Sequence, residues 1–359
     1  MTNSKNVLFY VFGKGSLNEL PLLIQNKRTK ADDYCIYFVD RFLAESPVLG
    51  SLSKMENDLL FFVDTVDEPT TADINRVYSE IVNSRKTHPV VIVGMGGGCT
   101  LDTAKAISNL LTNGGRAEDY QGWDLVRVPG IYKIGIPTIS GTGAESSRTC
   151  VMTNMEKHLK LGMNSEYTIY DQLIMDPGLS KTVERSQYFY SGVDTYIHCI
   201  ESLGGRYRHA IGDAFSYQAL TISREVFGAE DMQDEGSREK LMVASYLGGC
   251  AIANSYVGVV HPLSAGLSTV LKTHHCIGNC IVMNVMEEFY PRETTEFHHF
   301  LEKQRVTLPT NVTANLTDED FNDLYEGTII HEKPLANALG EGFREILTRD
   351  RVVEIFKRM

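Results

Sequence analysis

The sequence predicts two domains of different class: an α/β N-terminal half built on a doubly wound parallel sheet, residues 1–178, and an all-α C-terminal half, residues 179–359. Three observations carry this. Short apolar runs alternate with helical stretches up to about residue 178, long helix-period stretches fill the rest, and 359 residues exceed what one hydrophobic core ordinarily supports. Chemistry is then expected in a cleft between the domains.

The N-terminal elements follow in order. "NVLFYVFGKGSLNEL" reads as a strand, a glycine turn and a helix start. "YCIYFVD" at 34–40, "LLFFVD" at 59–64, "VVIVGMG" at 90–96 and "YKIGIPT" at 132–138 are short runs rich in β-branched and aromatic residues, with helical stretches at 71–84 and 100–111 between them. Parallel neighbours need crossover connections, and this alternation supplies them. After "IMDPGL" at 174–179 the strand signal fades, and "SGVDTYIHCIESL", "AFSYQALTISREVF", "REKLMVASYLGGCAIANSY", "TDEDFNDLYEGTI" and "ALGEGFREILTRDRVVEIFKRM" read as helices.

Composition narrows the function. A formal net charge of −12 opposes binding to nucleic acid or to an anionic membrane surface, and no apolar run approaches the 20 or so residues that span a bilayer. Seven cysteines are scattered singly and the chain starts on a polar "MTNSKN", which places the protein in a reducing cytoplasm. Cys276 and Cys280, at helical i, i+4 spacing, read as packing residues.

Two motifs carry chemistry. Glycines 96, 97 and 98 between a strand and a helix let backbone N–H groups approach a phosphate, which the helix N-terminus also attracts. The GxGxxG fingerprint and the P-loop pattern are both absent. Asp40 closes an earlier strand, where a carboxylate accepts from a ribose 2′-OH and repels a 2′-phosphate, favouring NAD over NADP. "PTISGTGAE" at 137–145 is a second glycine- and hydroxyl-rich loop, offering Thr138, Ser140 and Thr142. In the second half Asp194 and His198 stand four residues apart, one turn of one helix face, and His261 with His274 or His275 lies in apolar helical surroundings where a lone imidazole is costly. Four ligands of N3O type make a metal site; spacing alone leaves His274 and His275 open.

These motifs in this order, "FGKGSLNEL", "VVIVGMGGGCTLDTAKAI", "IPTISGTGAE", "MDPGL", "GVDTYIHCIE" and "VVHPLSAGLSTVLKTHHCIGN", resemble the iron-containing (group III) alcohol dehydrogenases over nearly the whole chain. The resemblance implies a Rossmann-like domain in a dehydroquinate synthase-like architecture. It implies one divalent metal, Fe2+ or Zn2+, on Asp194, His198, His261 and His275, the last two fourteen residues apart. It also implies Gly97, Gly98, Cys99 and Asp102 at the NAD phosphates, Thr138, Thr142 and Leu179 along the nicotinamide half, Lys160 on the cofactor side, and a homodimer. Three departures stand out: Cys99 replaces the usual Ser, Ala265 replaces a common histidine, and His274-His275-Cys276 replaces Pro-His-Gly.

The expected reaction is oxidation of a primary alcohol to an aldehyde, and no catalytic residue is expected beyond the metal ligands. The chain looks most like the branch that oxidises the C8 hydroxyl of 3-deoxy-D-manno-octulosonate, a lipopolysaccharide sugar acid, and Arg206, Arg208 and His209 are candidates to grip a carboxylate. The competing readings are a relative of glycerol-1-phosphate dehydrogenase or dehydroquinate synthase, and a non-catalytic binding homologue.

Overall fold

The computed structural model describes residues 4–66 and 68–359, and the chain divides into two units. The first takes the segments ending at Ile139, Ala144–Lys157 and Leu161–Thr182; the second takes Ser140–Gly143, His158–Lys160 and Val183–Met359. The expected boundary at 178 thus falls four residues later, and two short segments of the first half group with the second unit. Their reason is local. The Gly141 carbonyl accepts from Thr195 Oγ1 at 2.7 Å, its N–H donates to Ser245 Oγ at 2.8 Å, and Lys160 Nζ donates to Ser268 Oγ at 3.2 Å.

In the first unit, strands β1 (Phe9–Phe12), β2 (Cys35–Asp40), β3 (Leu59–Val63), β4 (Val91–Gly96), β6 (Lys133–Pro137) and β9 (Gln172–Met175) form a parallel sheet in the order β1-β9-β6-β4-β2-β3. A smaller sheet holds β5 (Gly122–Trp123), β7 (Thr149–Asn154) and β8 (Leu159–Asn164), none of which the sequence pattern announced. Central strand β4 is buried throughout because helices cover both faces. Alternation sorts the side chains: Ile36, Phe38 and Ile92 pack with Ile74 and Ile81 of α2 (Thr71–Ser84) and Ala104 and Ile107 of α3 (Gly98–Asn113). Tyr37, Val39, Val91 and Val93 pack on the other face with Leu20 and Ile24 of α1 (Leu20–Gln25). That is the doubly wound arrangement the sequence predicts.

Chain order reverses at β2. From β2 the chain steps out to β3, then returns to lay β4 on the opposite side of β2, so the carboxyl ends of β2 and β4 flank a switch point. Open α/β sheets bind their ligands there.

The second unit is all helical apart from its two short segments: α4 (Arg185–Gly204), α5 (Ala210–Gly228), α6 (Glu235–Ser255), α7 (Val260–Leu271), α8 (His275–Met283), α9 (Pro291–Gln304), α10 (Asp318–Ile329), α11 (Glu332–Leu339), α12 (Phe343–Ile346) and α13 (Arg349–Phe356). One apolar core, including Tyr188, Val193, Ile197, Leu263, Leu267, Val282 and Phe297, ties these helices together. Helix α4 packs against α5, α6 and α8, and α7 against α8 and α10, which brings the ligand-bearing helices side by side. No single helix among the described residues is long and apolar enough to cross a membrane. No disulfide joins the cysteines, and Cys276 and Cys280 are buried, Cys280 within the apolar core.

Candidate metal and cofactor sites

The second unit groups three of the four expected metal ligands, Asp194, His261 and His275, with His198 beside Asp194. Asp194 and His198 lie on buried turns of α4, whose first turn is capped by Glu184 accepting the Gln187 N–H. His261 is the second residue of α7 and His275 the first of α8. Around the fully buried Asp194, His198 Nε2 stands 3.7 Å and His261 Nε2 3.4 Å from Oδ1, and His275 Nε2 stands 3.5 Å from Oδ2. Donor atoms of Asp194, His261 and His275 lie within 4.8 Å of one another, and the His198 ring stacks on that of His261 with centroids 4.7 Å apart. Bonds of about 2.1 Å to one cation put neighbouring donor atoms roughly 3.0 to 3.4 Å apart, so these spacings are near what ligands of one cation show. His275 and not its neighbour His274 meets Asp194; His274 is the residue that precedes α8.

The electrostatics point the same way. Asp194 Oδ2 and His198 Nδ1 are buried and make no hydrogen bond. A carboxylate so placed is costly unless a positive charge meets it. Burial would raise Asp194, yet His198, His275 and His261 hold it well below the usual carboxylate range. Burial pushes His198 down to about 4, so it is neutral at pH 7 and offers a lone pair. His261 also feels burial downward, but Glu201 and then Asp194 overcome it and lift the ring to about 9.

Glu201 is the residue that the sequence reading missed. It lies three residues after His198 and seven after Asp194, on the same face of α4, and its side chain is fully buried. One oxygen accepts the Val260 N–H at 2.5 Å, satisfying an orphan donor of the first turn of α7, and the other meets His261 Nδ1. One carboxylate therefore seats the helix and turns the ring so that Nε2 faces Asp194, the orienting role outer carboxylates play at metal sites. The i, i+4, i+7 spacing was the available signal.

The cofactor candidates separate between the units. In the first, Gly97 precedes α3 with no side-chain cap bond, at a helix N-terminus of the kind that attracts an anion. At Gly96 a Cβ would sit 2.6 Å from Thr100 Oγ1 and 3.0 Å from Asp40 Cβ, so only glycine fits. Gly96 also accepts the Thr138 N–H at 3.1 Å, and Asp40 at the end of β2 accepts from Phe42 N–H and Thr65 Oγ1. Gly97, Gly98, Cys99, Thr138 and Asp40 thus gather at the switch point. Asp102 turns elsewhere: its carboxylate accepts the Val151 N–H at 2.9 Å and stands 3.8 Å from Lys105 Nζ, tying α3 to β7. Leu179 packs on the apolar face beneath α1. Thr142 and Lys160 belong to the second unit, where Lys160 and His261 both help to press half-buried His331 down to about 4, after desolvation of its ring.

Arg208 pairs with Asp213 and donates to the Leu203 carbonyl, Arg206 donates to the Leu339 carbonyl, and His209 Nδ1 caps α5 by accepting the Gly212 N–H. This segment is a helix junction whose basic groups have partners within the protein.

The model of the iron-containing alcohol dehydrogenases matches residues 9–177, and that of the C-terminal domain of the Fe-containing alcohol dehydrogenase family matches 188–323. The sulfoacetaldehyde reductase of Bilophila wadsworthia is 36% identical over 74% of this chain and 68% of its own length. The NAD-dependent methanol dehydrogenase of Bacillus methanolicus is 29% identical over 76% of this chain and 72% of its own. The crystal structure of sulfoacetaldehyde reductase from Bifidobacterium kashiwanohense in complex with NAD+ has a TM-score of 0.79 at 20% identity, covering 99% and 98% of the two chains. The chain belongs to the iron-containing alcohol dehydrogenase family, and it is an oxidoreductase of the alcohol dehydrogenase class.

Proposed function

We propose that the protein oxidises a primary alcohol of a small acidic substrate to the aldehyde, reversibly, with NAD and one divalent metal. The observation that carries this is the convergence of Asp194, His261 and His275 from three helices, with His198 Nε2 3.7 Å from Asp194 beside them. Those four residues would hold the cation, and Gly97, Gly98, Cys99, Thr138 and Asp40 would receive the dinucleotide, with Asp102, Thr142, Lys160 and Leu179 as further candidates. When bound, the cation lowers the pKa of the substrate hydroxyl and the nicotinamide accepts the hydride. The protein's own part is positional: Glu201 fixes the His261 ring, and neutral His198 presents its lone pair without a proton to displace. An uncapped helix end and Asp40 suit a pyrophosphate and an unphosphorylated ribose.

The acidic substrate is supported by two features. Lys160 is buried beside α7, the helix of His261, and a relative 36% identical is named for a substrate carrying a sulfonate. The sharpest form of the proposal is the C8 hydroxyl of 3-deoxy-D-manno-octulosonate, in the cytoplasmic synthesis of lipopolysaccharide sugars. A dimer is the assembly we favour: outer strand β1 exposes Phe9 and Tyr10, and Leu8 beside them, a face suited to a second copy. The test is turnover of the metal-loaded protein with NAD. The sugar acid is expected to be oxidised faster than ethanol or propanediol, and the reverse order rejects this substrate.

A further inference from the structure

We infer that Asn279 is a positioning residue that holds one oxygen of Asp194 and leaves the carboxylate to meet a cation through the other. The inference rests on the metal reading above. Asn279 is fully buried in α8, one turn beyond His275, so one helix supplies both a ligand and the amide. Its Nδ2 donates to Asp194 Oδ1 at 2.6 Å and stands 3.2 Å from His261 Nε2 and 3.3 Å from His275 Nε2. Oδ1 also has His261 Nε2 at 3.4 Å and His198 Nε2 at 3.7 Å, whereas Asp194 Oδ2 is buried with no hydrogen bond and lies 3.5 Å from His275 Nε2.

The two carboxylate oxygens therefore differ. A buried carboxylate oxygen without a donor is costly, so the neutral amide satisfies Oδ1 while Oδ2 keeps its lone pairs for the ion. An amide nitrogen has no lone pair to offer a metal, so Asn279 touches the ligand set without joining it. A carboxylate held by one oxygen takes one coordination position and leaves another open for substrate, the condition that separates a catalytic from a closed structural site. Without the amide, both oxygens are at liberty to turn on the cation and fill that position.

The test compares wild type with Asn279→Leu, which keeps bulk and removes the donor, and Asn279→Asp, near-isosteric and offering acceptors in its place. Co(II) is loaded into each full-length protein, and visible absorption and a chelator-competition dissociation constant are recorded. Both variants are expected to lose the wild-type band shape in favour of weaker bands of higher coordination number. Co(II) binding is expected to weaken about 10- to 100-fold in the leucine variant. A leucine variant that keeps the wild-type spectrum and affinity overturns the inference, because the amide then only fills space; so does an aspartate variant with an unchanged spectrum. If wild type takes up no Co(II), the metal reading falls and this inference with it, an outcome separable from the other two.

Discussion

Replacing Glu201 by glutamine tests the site most searchingly, because it changes the shape of a titration as well as its height. In the metal-free protein Glu201 and Asp194 together lift His261 to about 9, so at pH 7 a cation must displace a proton from that ring. The gap of about 2 pH units corresponds to about a hundredfold in affinity, or about 2.7 kcal/mol. The sign follows: affinity rises with pH, about tenfold per unit, and levels off near 9 where the ring has lost its proton. Glu201→Gln removes the first of the two raising influences, and the break moves down toward the ordinary imidazole value. Above the break the variant has lost the carboxylate that turns the ring, and binding there is weaker by about 10- to 100-fold. Near pH 7 the two effects oppose and the curves approach each other. Competition with a chelator from about pH 6 to about pH 9.5 reads both arms. Two parallel curves with the same break would refute the argument that Glu201 acts through His261.

Removing the metal with a chelator should abolish turnover and lower the melting temperature, since an ion bound only by the folded state stabilises it by mass action; an unchanged melt contradicts the assignment. Gly141→Ala should destabilise by about 3 kcal/mol or more, because at φ +142 its Cβ would stand 1.6 Å from the Ser191 carbonyl oxygen, and a denaturant midpoint reads the loss. Burial, opposed by Asp171, lowers Lys133 to about 8 from 10.5. The folded state then sheds that proton before the unfolded state does, so unfolding free energy should climb by about 3 kcal/mol between pH 8 and 10.5, and Lys133→Met should flatten the climb. Arg206→Ala and Arg208→Ala should leave KM for an acidic substrate within about twofold, as their guanidinium groups already serve the Leu339 carbonyl and Asp213.

Much of this was legible in the sequence. The doubly wound sheet followed from apolar runs spaced by helices, and the pairing of Asp194 with His198 from one helical turn, because both are consequences of local periodicity. The two later histidines became credible because an isolated imidazole in apolar surroundings needs a partner. Glu201 and Asn279 escaped notice for a different reason. Helical spacing places Glu201 on the face of Asp194 and His198, but the roles of both residues come from three-dimensional neighbours, Val260 and His261 for one and Asp194 for the other, at separations of 59, 60 and 85 residues. The same holds for Ser140–Gly143 and Lys160, which local pattern assigns to the sheet domain and hydrogen bonds assign to the helices. For Arg206, Arg208 and His209 the sequence shows a basic cluster after a metal helix but not the partners it has in the fold, Asp213 for Arg208 and the Leu339 carbonyl for Arg206.

The donors around Asp194 are fixed by three helices that share one apolar core, with Glu201 steering the His261 ring and Asn279 the Asp194 carboxylate. Such a cage keeps its dimensions whichever small divalent ion enters, and one carboxylate with three imidazoles discriminates little between iron and zinc. The ion recovered with the purified enzyme should therefore report the supply in the growth medium, and exchanging it should alter the rate while leaving the backbone undisturbed.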